Sequence, residues 1–339
     1  MNPIARKDRP GSGRSPFRRA GGIVLAAIVM VGILGAKASA QDYPNKPIRL
    51  IVPYGAGTGA DIMARQVEPG IRQQLKQTVI VENRPGAGAV LGTEAVTAAA
   101  PDGYTLLFGA TQTAINPHVF NLRFDTMKDL VPVVRVSNAP LILAVSKHLP
   151  VRSVEELVAY GKKNPGKLNY TSAGMGSSPH LSGAYFAKLA GIEAVHVPTN
   201  NIPQALIDLI RGEIHFIFYP YVGIKGQIEA GDLRVLASTN ATRTKFLKDA
   251  PTMVELGYKD FVLPAWQGIF VPKGTPNEIV DKIYRSVADS LGADAKLAAT
   301  LEETGTEVKI ESPSEFAAFV RRQLDVYGEI VKSAGLPRQ

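Results

Sequence analysis

Short, continuous apolar runs recur along this chain, and a loop followed by a helix-start signal tends to come after each one. Residues 48–53, 79–82, 105–108, 141–146, 168–171, 214–218 and 234–238 are the clear strand candidates. Several are apolar throughout rather than alternating, the mark of strands covered on both faces. Their alternation with helical stretches predicts an α/β fold of layered sheets and helices. Helix starts are legible as well. Ser153 with Glu156 forms a capping box ahead of Leu157 and Val158. Thr275-Pro276-Asn277-Glu278 and Ser312-Pro313-Ser314-Glu315 each read as an N-cap, a proline at the first helical position and a glutamate three residues after the cap. These signals report architecture, not chemistry.

Residues 1–40 stand apart from that pattern. Arg6, Lys7, Arg9, Arg14, Arg18 and Arg19 precede an apolar run over 21–35, and Ala38-Ser39-Ala40 follows it. That order is a secretory signal peptide, with cleavage expected after Ala40 and the mature chain in the periplasm. The apolar run falls short of the roughly 20 residues that a membrane span needs. The same segment, with Lys37 and only Asp8 opposing, carries most of the formal net charge of +8. The remainder is only slightly basic and has no basic cluster, which excludes a nucleic-acid partner. The chain has no cysteine, so disulfides, thiolate metal sites and cysteine catalysis are excluded together. Roughly 300 residues remain, enough for two domains of ordinary size. The expected division places 42–140 and 264–339 in one domain and 141–263 in the other. The hinge crossings would lie near 138–141 and 263–268.

Three loops rich in glycine or hydroxyls each follow a strand and open a helix. The first is Tyr54-Gly55-Ala56-Gly57-Thr58-Gly59-Ala60-Asp61. Met63, Val67, Ile71 and Leu75 follow at four-residue spacing, and Pro69-Gly70 is expected to kink or interrupt that helix. The second is Ser172-Ala173-Gly174-Met175-Gly176-Ser177-Ser178-Pro179-His180, where Ser178 reads as N-cap and Gly191 ends the helix. The third is Val197-Pro198-Thr199-Asn200-Asn201-Ile202-Pro203. Glycines let a backbone approach a ligand closely, and the unpaired N–H groups of a helix's first turn, with the helix dipole, favour an anion. Three such loops point to a small anion held by backbone donors and hydroxyls.

Other chemistries lack their marks. Gly86-Ala87-Gly88-Ala89-Val90-Leu91-Gly92 has the spacing GxGxxxG, not that of a dinucleotide fingerprint. There is no P-loop, no G-x-S-x-G elbow and no S-x-x-K pair. His118, His148, His180, His196 and His215 show no metal-ligand spacing. No cofactor and no metal are expected. His180, at a helix start beside the second loop, is the single histidine placed to touch a ligand.

At these loops the sequence resembles the solute receptors of tripartite tricarboxylate transporters, the Bug receptors. The segments that carry the resemblance include Val81-Glu82-Asn83-Arg84-Pro85-Gly86-Ala87-Gly88, Pro101-Asp102-Gly103-Tyr104-Thr105, Trp266-Gln267-Gly268 and Pro272-Lys273-Gly274-Thr275-Pro276, besides the first two loops. The resemblance implies a type II periplasmic binding protein fold, two α/β domains with a ligand cleft between them. It implies capture of a small carboxylate for the membrane components of a tripartite transporter, with no catalysis, by a monomer. The ligand's carboxylate would rest on Tyr54, Gly55, Ala56, Gly57, Thr58 and Gly59, with Asp61 supporting that loop. Ser172, Gly174, Ser177, Ser178 and His180 would face it from the second loop, and Thr199, Asn200 and Asn201 from the third. Thr111 and Gln112, just past the strand at 105–108, are further candidates.

Two departures bear on the ligand. The third loop commonly reads Val-Pro-Tyr-Lys-Gly, and Thr199-Asn200-Asn201 stands here instead. The strand ending at Phe218 commonly leads into an aspartate, and Tyr219 takes that place. Loss of the acid removes a partner for an ammonium group, and a tyrosine suits a flat or apolar body. A mono- or dicarboxylate, aromatic ones included, is therefore expected rather than an amino acid. Two rival readings remain: a sensor subunit reporting to a signalling partner, and an enzyme using His180 as base.

Overall fold

The computed structural model describes residues 43–199, 201–303, 305–335 and 338. The signal-peptide and cleavage expectations fall outside these residues, as does Asn200. Among the described residues no helix is long and apolar enough to cross a membrane. The architecture lies in the compact unit formed by residues 46–339.

Its elements run β1 (Ile48–Val52), α1 (Gly59–Leu75), β2 (Val79–Asn83), α2 (Val90–Thr97), β3 (Thr105–Ala110), α3 (Gln112–Val119), α4 (Thr126–Asp129), β4 (Leu130–Ala139) and β5 (Leu141–Ser146). They continue α5 (Val154–Lys163), β6 (Leu168–Ser172), α6 (Ser178–Ala190), β7 (Ala194–Pro198), α7 (Ile202–Arg211), β8 (Phe216–Pro220), α8 (Lys225–Glu229) and β9 (Leu233–Ser238). The last are β10 (Ala265–Pro272), α9 (Asn277–Ala293), α10 (Ala295–Glu303), β11 (Glu307–Glu311) and α11 (Pro313–Ser333).

The strands form two sheets, in the orders β11-β4-β10-β3-β1-β2 and β7-β6-β8-β5-β9. Each contains three parallel strands, β2-β1-β3 in one and β7-β6-β8 in the other. In each, the next strand runs antiparallel, β10 against β3 and β5 against β8. The chain leaves the first sheet at Ala139, enters the second at Leu141, and returns to the first only at Ala265. The two sheets therefore share one plan, and this is the type II arrangement of two α/β domains. Parallel strands end at the same edge, so the loops after β1 and β3 lie together, as do those after β6, β7 and β8. Ligands of open α/β sheets bind at such carboxyl edges.

Burial follows the strand composition. Leu50, Ile51 and Val52 of β1 and all six residues of β5 are buried, because both strands sit inside their sheets with helices on the faces. In the first domain Trp266, Phe270, Phe316 and Phe319 pack edge-on or tilted between β10 and α11. Gly268 makes that approach possible, since a Cβ there would stand 2.4 Å from the Phe316 ring. In the second, Phe186 of α6 meets Phe216 and Phe218 of β8. On the opposite face Leu206 and Leu209 of α7 cover Ile142, Ala144 and Ile217.

Several sequence expectations need correction. α1 runs unbroken through Pro69. The proline forfeits one backbone bond, but Met63, Val67, Ile71 and Leu75 are buried as a stripe and offset the loss. Gly70 lets α9 pack against the same helix, for a Cβ there would lie 2.2 Å from Ser290 Oγ. The N-cap of α6 is Ser177 rather than Ser178, and its side chain accepts the His180 N–H. Thr275 does not cap α9. Its buried hydroxyl donates to Pro272 O at 2.8 Å, and Pro276 occupies the cap position. The eighth strand begins at Phe216, not 214, because the His215 ring and backbone are tied to Asn169.

Candidate functional site

The loop after β1 is shaped by one buried carboxylate. Asp61, in the first turn of α1, accepts the Gly57 N–H at 2.9 Å through Oδ2. Its Oδ1 accepts Arg65 Nε at 3.0 Å and Asn83 Nδ2 at 2.9 Å. Asn83 also donates to Tyr54 O at 3.1 Å, which ties the end of β2 to the start of the loop. Thr58 caps the helix, its hydroxyl accepting Asp61 N–H and donating to Gly55 O at 2.8 Å. Burial would raise the Asp61 pKa, but the bonds from Arg65, Gly57 and Asn83 overcome it and lower it to about 2. The Gly57, Thr58 and Asp61 amides are thus already engaged, and the other amides of the loop with those of Gly59 and Ala60 at the start of α1 are the donors left for a ligand. Gly55 and Tyr54 are half-buried, whereas residues 56–59 are exposed. The Tyr54 hydroxyl is buried with no partner among the described residues, and burial raises its pKa.

The loop after β6 is a tight glycine turn, with Gly174 at φ 104° and Gly176 at φ 71°. Only glycine adopts such angles without strain. Ser172, fully buried, donates to Gly174 O at 3.0 Å and accepts Gly174 N–H at 3.2 Å. Ser177 donates to the same carbonyl at 2.7 Å. Gly176 N–H donates to His180 Nδ1 at 3.1 Å. His180 is 2% exposed, and burial pushes its pKa down to about 4. Ser178 is buried with its hydroxyl 3.5 Å from that of Tyr327 in α11.

The third loop closes on itself. Asn201 N–H donates to Thr199 Oγ1 at 2.9 Å, and Asn201 caps α7 by accepting Gln204 N–H. Tyr219, near the end of β8, is half-buried against the cluster around Ile142 and Ile217, and its ring lies over Gly223. Burial raises its pKa.

The second loop is brought against the start of α3. Gln112 Nε2, at the start of α3 in the first domain, approaches Gly176 O in the second at 3.4 Å. Val119 of α3 lies 3.5 Å from where a Gly176 Cβ would be. Thr111 is buried, and its hydroxyl accepts Trp266 N–H at 3.1 Å, so its visible role is to join α3 to β10. None of the described loop residues carries a cationic side chain. A separate cavity of about 700 Å³ opens along β9, lined by Arg152, Leu233, Arg234, Leu236 and Leu247 among others. It shares no residue with the three loops and brings no glycine turn to bear, so it is the weaker candidate despite its size.

Sequence reasoning did not single out Asn83, Arg65 or His196. Asn83 bonds to Asp61 only through the fold, whereas Arg65 is its i,i+4 neighbour on α1, a spacing the sequence does carry. His196 stands two residues before Pro198 with no local signal of its contact to Ser172.

Known proteins resemble this chain along most of its length. A family model described as tripartite tricarboxylate transporter family receptor matches residues 63–336. Protein BugT of Bordetella pertussis is 30% identical over 315 residues, covering 92% of this chain and 96% of that protein. The structure of R. palustris Rpa4515 with adipate superimposes with a TM-score of 0.76 at 30% identity, covering 88% of this chain and 100% of that one. The periplasmic binding protein BugD does so with a TM-score of 0.73 at 32% identity, again over 88% and 100%.

Proposed function

This chain belongs to the tripartite tricarboxylate transporter receptor family, and on that premise we propose that it captures a small carboxylate in the periplasm and delivers it to a tripartite membrane transporter. The family is one of periplasmic solute-binding receptors. The cargo is a mono- or dicarboxylate, aromatic ones included, and the receptor works as an exported monomer cleaved after Ala40. The observation that carries the reading is the loop of residues 54–59, held open by Asp61 at the first turn of α1. Its amides and helix dipole offer an anion site that needs no cationic side chain. The second loop meets the start of α3, which follows β3 at the same sheet edge as the 54–59 loop, through the Gln112–Gly176 contact. A ligand touching both loops would favour closure of the domains about the crossings at 138–141 and 263–268.

His180 supports binding over catalysis. Its Nδ1 is engaged by Gly176 N–H and its ring is buried, which is a poor placement for a general base. Tyr219 in place of an acid argues against an ammonium-bearing ligand, and the adipate bound to Rpa4515 fits a ligand of carboxylates alone. A thermal-shift screen of residues 41–339 against adipate, shorter dicarboxylates, aromatic acids and amino acids tests the reading. Ligand at about 100 times its dissociation constant adds roughly 2.7 kcal/mol of stability. A shift with acids confined to carboxylates is expected. Shifts with amino acids alone would overturn the ligand class, and silence across the panel would overturn carboxylate capture.

A further inference from the structure

His180 and His196 meet as a stacked pair behind the second glycine turn, although one opens α6 and the other lies on the edge strand β7. Their ring centroids are 3.9 Å apart with planes at 28°. Tyr170 of β6 lies beside both, tilted against His196 at 5.0 Å and stacked with His180 at 6.4 Å, and rests in turn on Phe216 of β8.

Each imidazole makes one directional bond to the turn. His180 Nδ1 accepts Gly176 N–H at 3.1 Å, so that nitrogen is bare and the ring proton sits on Nε2. His196 Nε2 lies 2.8 Å from Ser172 Oγ. With the serine proton donated to Gly174 O, His196 Nε2–H is the donor in that pair. Both rings are neutral in this arrangement. Between them they fix both glycines of the turn, including the residue whose carbonyl Gln112 approaches from the other domain.

We propose that His196 is a positioning residue for the carboxylate site: stacked on His180, it holds the turn at 174–177 in its binding shape while both rings stay uncharged. The proposal rests on the carboxylate-receptor reading above. A proton added to His180 Nδ1 would face the Gly176 N–H and abolish their bond. One added to His196 would put a cation against its stacked neighbour. The groups facing the pair cannot compensate. Tyr170 of β6 and, beyond Ser178, Tyr327 of α11 keep their protons, since burial raises both pKa values. Phe216 is apolar, and among the described residues neither ring has an ion-pair partner. Both imidazoles are accordingly depressed to about 4, chiefly by burial and for His196 also by His180.

The test compares wild type, His196→Phe and His196→Gln near neutral pH, by adipate calorimetry and by NMR of the unliganded protein. His196→Phe keeps a stacking ring but loses the bond to Ser172. It is expected to weaken adipate binding about tenfold and to speed Gly176 amide exchange. His196→Gln, which retains a donor, should recover most of the affinity. In wild type His180 should carry its proton on Nε2 and stay neutral well below its ordinary titration range. Wild-type affinity and unchanged Gly176 exchange in His196→Phe would overturn the proposal, as would a proton on His180 Nδ1. If no form binds adipate, the carboxylate reading fails for that probe while Gly176 exchange still decides the role of His196. Should His196→Phe not fold, the glutamine variant and the wild-type tautomer decide.

Discussion

Asp61 holds Gly57 from one helical turn downstream: its Oδ2 accepts the Gly57 amide at 2.9 Å while Arg65 and Asn83 occupy Oδ1. The carboxylate thus shapes the loop of residues 54–59 without needing to touch an anion. Asp61→Ala leaves three donors without an acceptor, at a cost of about 2 kcal/mol. The melting temperature should fall by several degrees and adipate affinity by about tenfold or more. Differential scanning calorimetry with titration calorimetry checks both. An unchanged melting point and affinity would remove Asp61 from the loop's support.

Acid should destabilise the protein in two stages. His180 and His196 titrate near 4 in the fold, below the ordinary histidine value of 6.5. The unfolded chain therefore takes up protons first, so their stabilisation is whole above pH 6.5 and is lost as pH falls toward 4. Asp61, lowered from 3.8 to about 2, contributes about 2 kcal/mol that is lost only as pH falls through that lower window. Melting temperature against pH should show both limbs. A double His180→Asn, His196→Gln variant should shrink the upper limb alone, leaving what His118 and His215, also lowered by burial, contribute, and an undiminished upper limb would assign it to other groups.

Legibility in the sequence followed the range of the interactions. β1, β3 and β5 declare themselves because both faces are buried and their runs are apolar. β4 hides behind Pro132 and Arg135. β11 pairs with β4 only from Arg135 to Asn138, so Pro132 lies where that strand lacks a partner on one side. β10 hides behind Gln267 and Gly268, and its pairing of Ala265 with Ala139 spans most of the second domain. At the site, glycines and helix-cap hydroxyls are local signals, and they marked the loops. The bonds that shape those loops join Asp61 to Asn83 and Ser172 to His196. Such partners meet only after the parallel strands are paired, and no spacing rule reveals them.

Gly183 is a second control point for the histidine pair. A Cβ there would lie 2.3 Å from the Tyr170 ring, which packs tilted against His196. Gly183→Ala should displace that ring and cost about 1–3 kcal/mol as overpacking. Urea unfolding should show a lower midpoint with an unchanged slope, and His196 ring resonances should move. A wild-type midpoint would mean that Tyr170 has room to withdraw.

Two ion pairs at opposite extremes of burial should behave differently. Lys245 and Glu302 join the two domains at 3.1 Å but are largely solvated, so Lys245→Ala should change stability by no more than about 1 kcal/mol. Arg135 is buried, 3.1 Å from Glu311 and 3.8 Å above the Phe319 ring. Arg135→Ala strands the Glu311 carboxylate and should cost about 3–5 kcal/mol. Equal effects in chemical denaturation would show that solvation does not rank these pairs.

Gln112 tests whether the domains act together. Its amide reaches Gly176 O across the cleft at 3.4 Å, a long bond that adds little to either domain alone. Gln112→Ala should therefore leave the unliganded melting temperature within about a degree, as expected for a partly solvated bond worth well under 1 kcal/mol. Closure is different, because a ligand shifts a two-state equilibrium only by its differential contacts with the two states. If the contact belongs to the closed state, its removal should lower adipate affinity several-fold, chiefly through faster dissociation. Stopped-flow binding with small-angle scattering, with and without adipate, separates the cases. A more open liganded form with faster release places Gln112 on the closed state. Lost affinity with an unchanged shape and unchanged release rate would instead place it in direct contact with the ligand.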